Sequence, residues 1–288
     1  MKKFLFLTSV LFVSSQIFAQ DLIFDKRFID CEENWVAVEQ NKANSYLYGF
    51  VFIEENVGLN LCIEGNFTID NDGVFIPQKN KSSKLNIIKL EPDDKQVALI
   101  PNSKLEELNL PILPSWITKY KKKPTAQSLC NIAFIYNKWK SCYNALVYLK
   151  LADEKKAKFR AFFSEMAYSY NCMGAFNEAI EVAEIGAKRY PDDALICREL
   201  IFAQANAGLA NDAAKSCKKA LTRCTDKSYD GENCYNVLRA YYKDKDFKKF
   251  AYWLKLAKNF NKNSKKIMGF ISEMEYTMRS EGGNEFFE

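Results

Sequence analysis

The polar–apolar pattern along this chain changes period once, near its middle. From 22 to 100 it alternates in twos: Leu59, Leu61 and Ile63 point one way, and Asn60, Cys62 and Glu64 the other. That is the mark of a half-buried strand. Phe67 and Ile69 continue an alternating segment up to Asp70-Asn71-Asp72-Gly73, and Val74 and Ile76 resume it. Asp72-Gly73 predicts a hairpin turn, since both residues tolerate positive φ. A calcium loop is the poorer reading of the same tetrapeptide, because Lys79 stands where a bidentate Glu is needed. Leu22–Phe28, Trp35–Val38, Tyr46–Ile53, Leu85–Leu90 and Val97–Ile100 are aromatic and β-branched runs bounded by Pro, Asp or Asn. About seven short strands are expected, as a small antiparallel sandwich or open barrel over 20–110. Pro101, Pro111 and Pro114 then punctuate the chain, with a short helix expected near Ser103–Leu108 and a linker over 111–124.

After 124 the spacing becomes helical and repeats. In 160–193, Ala167 and Tyr170 fall on a first helix, Gly174 in a turn, Ala179 and Gly186 on a second helix, and Tyr190-Pro191-Asp192-Asp193 closes the unit. Shifted forward by 34 residues, Gly174 maps to Gly208, Ala179 to Ala213 and Gly186 to Ala220. Shifted back, Ala167 maps to Ala133, Tyr170 to Tyr136, Ala179 to Ala145 and Gly186 to Ala152. A fourth copy fits after a three-residue insertion at 228–230, with Tyr241, Phe247 and Ala257 in register. On these residues the region 125–264 resembles the tetratricopeptide repeat (TPR) family, with copies at 126–159, 160–193, 194–227 and 231–264. The resemblance implies an α-solenoid, because a lone helix pair cannot bury its apolar face and stacked neighbours close each other's cores. Copy one departs from the pattern with Lys140 at the turn glycine, copy three with Gln204 and Thr225, and copy four with Phe250 at a small position. Ile267, Phe270, Ile271, Met274 and Met278 line one face of a final helix near 265–279, expected to cap the array, with 265–288 as cap and tail. The fold class expected is α+β with two domains.

The first nineteen residues are set apart. Lys2 and Lys3 precede an apolar run from Phe4 to Val13, and Ile17-Phe18-Ala19 offers a cleavage site. This reads as a signal peptide, too short to span a bilayer, which needs roughly 20 apolar residues. The first cysteine is Cys31, so no lipid-anchor cysteine follows. A periplasmic or secreted protein is expected, without a membrane span and with an envelope component as a candidate partner. With 48% hydrophobic and 14% aromatic residues the chain can build sizeable cores. Residues 20–124 carry 13 basic and 16 acidic side chains, and 125–288 carry 26 and 20. The basic second half is read as a solvated face, with an acidic partner surface as the sharper alternative; nucleic acid is not expected for an exported chain. Nine cysteines are an odd number, so at least one thiol stays free or pairs with another chain. Cys217 and Cys224 lie about 10.5 Å apart along one predicted helix, beyond disulfide reach. Cys224 and Cys234 straddle a predicted turn, where they can meet. Zero to two disulfides are expected.

The chain has no histidine. That removes Ser-His-Asp and Cys-His catalysis, His-based zinc sites and the commonest general base. No Gly-rich phosphate loop and no Cys-x-x-Cys is present. Ser216-Cys217-Lys218-Lys219 matches Ser-x-x-Lys, but its supporting motifs are missing. Carboxylates of the β half such as Glu33 and Glu54 leave a hydrolase only as a minor alternative. No catalytic residue, metal or cofactor is expected. The resemblance instead implies a concave surface lined by the first helix of each copy. Phe134, Tyr168 and Phe202 recur there at intervals of 34, Asn137 and Asn171 likewise with Asn206 close to the equivalent place, and Arg198 and Arg239 add charge. An aromatic ladder flanked by amides suits an extended peptide. The competing reading is that the three aromatics pack between neighbouring helices. A non-catalytic scaffold for a protein or peptide is therefore expected, the alternative being a glycan- or envelope-binding accessory protein that uses the β half.

Overall fold

A computed structural model describes residues 22–79, 85–121 and 123–287. The expected signal peptide lies outside the described residues. Compactness divides the chain into two units, one of 22–52, 61–88 and 94–114, the other of 53–60, 89–93 and 115–287.

Among the described residues, seven strands form one antiparallel sheet: β1 (Phe24–Arg27), β2 (Trp35–Glu39), β3 (Tyr46–Glu54), β4 (Gly58–Ile69), β5 (Phe75–Lys79), β6 (Asn86–Lys89) and β7 (Gln96–Leu99). Their order is β1-β7-β2-β3-β4-β5, with β6 paired to β4, which makes an open sheet. The two alternating segments at 59–63 and 67–69 are one twelve-residue strand. The expected hairpin joins β4 to β5, with Ile69 opposite Phe75. One Asp70 carboxylate oxygen accepts from the backbone N–H groups of Asp72 and Val74, and Gly73 sits at φ 77°. That carboxylate serves the turn.

Alternation in β4 is weaker than expected, because Asn60 and Cys62 are as buried as Leu59 and Leu61. The Asn60 amide meets its burial by donating to the Gly58 carbonyl at 2.8 Å. Gly49 is required in β3, since a Cβ there would stand 2.6 Å from the Cys62 carbonyl oxygen. The short helix expected at 103–108 is only a 3₁₀ turn, Asn102–Lys104, followed by further turns. That segment is tied to the sheet by the Trp35 indole donating to the Pro111 carbonyl and the Phe75 N–H donating to Glu107.

The second unit carries helices α1 (Ala126–Lys138), α2 (Cys142–Glu154), α3 (Arg160–Cys172), α4 (Phe176–Arg189), α5 (Ala194–Asn206), α6 (Ala210–Arg223), α7 (Asp230–Lys243), α8 (Phe247–Asn261) and α9 (Lys265–Met278). α1, α3 and α5 begin at 126, 160 and 194, the spacing read from the sequence. Thr125, Asp193 and Ser264 cap α1, α5 and α9 by accepting a backbone N–H. α1, α3, α5 and α7 each pack on their even partner and on the next odd helix, so α1, α3, α5, α7 and α9 form a continuous layer. Ala145, Ala179 and Ala213 are fully buried where the paired helices cross. Phe250, in the equivalent place of copy four, is also fully buried, in a core shared with Val237, Tyr241, Ile271 and Met278. α9 supplies Ile271, Met274 and Met278 to that core, while Phe270 stays exposed and Ile267 partly so. Among the described residues no helix is long and apolar enough to cross a membrane.

The register also shows in the backbone. Lys140, Gly174, Gly208 and Lys245 all turn with positive φ, at 58°, 75°, 79° and 54°. These are the turn positions of the four copies, and two of them hold the left-handed conformation without glycine.

The Cys224–Cys234 pairing is not seen. The bond present joins Cys142, the first residue of α2, to Cys172, the last of α3, with Cα atoms 6.3 Å apart. Cys224 lies against Cys197 instead, and Cys234 against Cys217. Sequence distance hid this, because the stack brings the start of one helix to the end of another thirty residues on.

Candidate binding groove

The eight candidate residues all lie on the first-helix layer. Two hollows open there in series. The first, of about 330 Å³, is lined by Phe134, Asn137, Tyr168 and Arg198 with Lys140, Glu165, Leu195, Glu199 and Tyr229 among others. The second, of about 360 Å³, is lined by Tyr168, Asn171, Arg198 and Phe202 with Lys140, Glu199 and Glu232. Lys140, Tyr168, Arg198 and Glu199 are common to both, so the hollows form one groove. Volumes of this size fall within the range of ligand-binding clefts, roughly 300–1,000 Å³.

The aromatic ladder divides. Phe134 is 53% exposed and free to contact a ligand. Tyr168 is half-buried, with the Lys140 ammonium 5.0 Å over its ring and bonded to its hydroxyl. Phe202 is half-buried and packs edge-on against Phe176. Packing between helices thus claims part of Phe202, and the groove keeps Phe134 and one side of Tyr168.

The amides do something the sequence did not reveal. Asn137 donates to the Glu165 carbonyl at 3.1 Å and to its carboxylate at 2.8 Å. Asn171, one repeat on, donates to the Glu199 carbonyl at 3.0 Å and carboxylate at 2.9 Å. Each asparagine is buried and each glutamate lies 28 residues ahead on the next first helix. These are rungs between copies, and their donors are committed to the fold. The Asn137 carbonyl accepts from Ser169 at 2.8 Å, whereas the Asn171 side-chain carbonyl is buried without a partner. A third rung is missing, since Ala205 and Asn233 occupy the equivalent places; the Asn233 carbonyl oxygen is likewise buried and unpartnered.

Charge in the groove is mixed. Arg198 donates to the Glu199 carboxylate and stacks 4.8 Å over the Tyr229 ring. Burial pushes the Glu165 carboxyl above the ordinary glutamate range, against the Asn137 hydrogen bond, with Glu199 adding to the rise. Asn206 and Arg239 line neither hollow: Asn206 donates to the Phe202 carbonyl and accepts from Arg239 at 2.7 Å. Glu165, Glu199 and Lys140 were missed by sequence reasoning. The signal available for the first two was the same interval of 34 that picked out the asparagines. Among the described residues no group of three His, Cys, Asp or Glu is placed to hold a metal ion.

No protein-family model matches the chain, and no curated protein matches it. Among solved structures, a TPR repeats protein from Bacteroides fragilis NCTC 9343 is similar, with 16% identity and a TM-score of 0.30 over 56% of this chain and 86% of that one. At that score the likeness carries no weight beside the helix pairs, their 34-residue register and their buried small residues. The helical region is a TPR-like array.

Proposed function

We propose that this protein is an exported, non-catalytic scaffold that holds an extended segment of a protein partner in the groove along α1, α3 and α5. The observation that carries this reading is the continuity of the two hollows through Lys140, Tyr168, Arg198 and Glu199. An extended peptide alternates its side chains and exposes backbone donors and acceptors. Phe134, Leu195 and Tyr229 offer it apolar contact, Lys140 and Arg198 offer donors, and the glutamates offer acceptors. Export is supported by the charged, apolar and small-residue sequence at 1–19 and by the Cys142–Cys172 bond, which persists in oxidising compartments.

The test is co-purification from intact envelope with Phe134 and Tyr168 changed to Ala, beside a control change at Tyr143, an exposed residue of α2 outside the groove. Loss of the same partner from both groove variants, with the control unchanged, is expected. An unaltered partner set with both groove residues truncated overturns the groove reading. Export is checked separately by the N-terminal residue of the recovered chain, expected at Gln20.

A further inference from the structure

Beyond the disulfide, seven cysteines are present as thiols, all buried. Four of them come in facing pairs. The Cys217 thiol on α6 faces Cys234 on α7, and the Cys197 thiol on α5 faces Cys224 just past the end of α6. All four belong to one buried cluster, and Cys217 and Cys234 are wholly inaccessible. A thiol is a weak donor and a weak acceptor, so either pair gains little as a hydrogen bond. Cys31, Cys62 and Cys130 have no second sulfur among the groups acting on them.

We propose that Cys197–Cys224 and Cys217–Cys234 are two further disulfides of the exported protein, the first locking copy three and the second fastening it to copy four. With Cys142–Cys172, which ties copy one to copy two, covalent bonds then hold the four copies as two linked pairs, one with two and three with four. A repeat array contacts only its neighbours, so such links act where its cooperativity is weakest. The proposal rests on the export reading, because cytosolic thiols are kept reduced.

Each bond forms by thiol–disulfide exchange with a disulfide-bearing oxidant, either an oxidoreductase or oxidised glutathione. One cysteine thiolate attacks the oxidant's disulfide and expels a thiolate; the second cysteine attacks the mixed disulfide and expels the other. The pair loses two protons and two electrons, and the oxidant becomes two thiols. Burial lifts the Cys197 thiol to about 12, which leaves little thiolate in the folded array. Oxidation therefore belongs to the folding chain, before the cluster closes.

The full chain, recovered from the exporting compartment without reductant, is denatured, alkylated and read by intact mass and peptide mapping. Seven thiols less these four leaves three, so three alkylated cysteines are expected, at Cys31, Cys62 and Cys130, with bridged peptides for both pairs. Cys217→Ser alone is expected to free Cys234 and raise the count from three to four. Seven alkylated thiols, or bridges in another pairing, overturn the proposal. The same mass reports whether residues 1–19 were removed. If the leader is retained and every cysteine is reduced, it is the export reading that fails. Refolding of the denatured chain in oxidised glutathione then decides the pairing by itself: scrambled or absent bonds at these positions reject it.

Discussion

Glu165 shows how the fold uses a charge that it does not favour. The carboxyl is largely withdrawn from water, held by Asn137 from α1 and faced by Glu199. Its folded-state pKa is raised, so it contributes stability fully below the ordinary glutamate range and loses that contribution as pH rises through the folded value. Glu165→Gln keeps an acceptor for Asn137 and removes the charge. The variant is expected to be more stable than the parent at neutral pH, with the gap closing as pH falls from the raised folded value towards the ordinary glutamate range. Urea unfolding across that range checks this, and a gap that widens towards acid contradicts it. Lys140 presents the opposite compromise. A non-glycine residue in the left-handed region costs roughly 1–2 kcal/mol, yet here it places an ammonium over Tyr168 where the equivalent Gly174 and Gly208 place nothing.

Helix pairs depend on how closely their partners approach, and two glycines separate that requirement from propensity. A Cβ on Gly186 of α4 would lie 2.7 Å from the Phe163 Cβ and 3.2 Å from the Ile196 Cγ2, whereas one on Gly269 of α9 meets nothing within 4 Å. Copies one and three carry Ala152 and Ala220 in the place of Gly186, opposite the smaller Leu129 and Cys197 by register. Gly186→Ala is therefore expected to cost about 1–3 kcal/mol by overpacking. Gly269→Ala is expected to stabilise by about 0.5–1 kcal/mol, the helix penalty of glycine removed. Thermal unfolding of the two variants measures both, and a stabilised Gly186→Ala rules out the close approach. Elements like these were legible because small residues and turns recur in one dimension. The strands were legible for the same reason, since Asp72-Gly73 and the alternating runs act locally. The asparagine rungs were not. Asn137 and Asn171 were picked out by their interval, but their glutamate partners follow only once the offset of successive first helices is known. The same offset concealed Cys142–Cys172, and a purely local reading sent Cys224 towards Cys234 when the stack turns it to Cys197.

At the scale of the array, each copy leans on the next, and α9 ends the series. Ile271 is fully buried between α9 and its neighbours, in the cluster that holds Val237, Leu254 and Phe250. Stability in such a stack is approximately a sum of copy and nearest-neighbour terms, so damage at one end spreads only as far as the interfaces it breaks. Ile271→Asp places an unpaired carboxylate in that cluster and is expected to undock α9. Hydrogen exchange should rise in α7, α8 and α9, the helices that meet there, while α1 to α4 keep their protection. If α1 to α4 lose protection together with α9, the stack unfolds as one cooperative body and the nearest-neighbour account fails. With Cys217 bonded to Cys234, the rise in α7 should be confined to the part of the helix after Cys234, and exchange in α6 should stay low in this variant. Adding reductant to the denatured chain before refolding should then extend the exchanging region into α6. The same variant therefore reads out both the reach of the cap and the bond proposed to hold copy four to copy three.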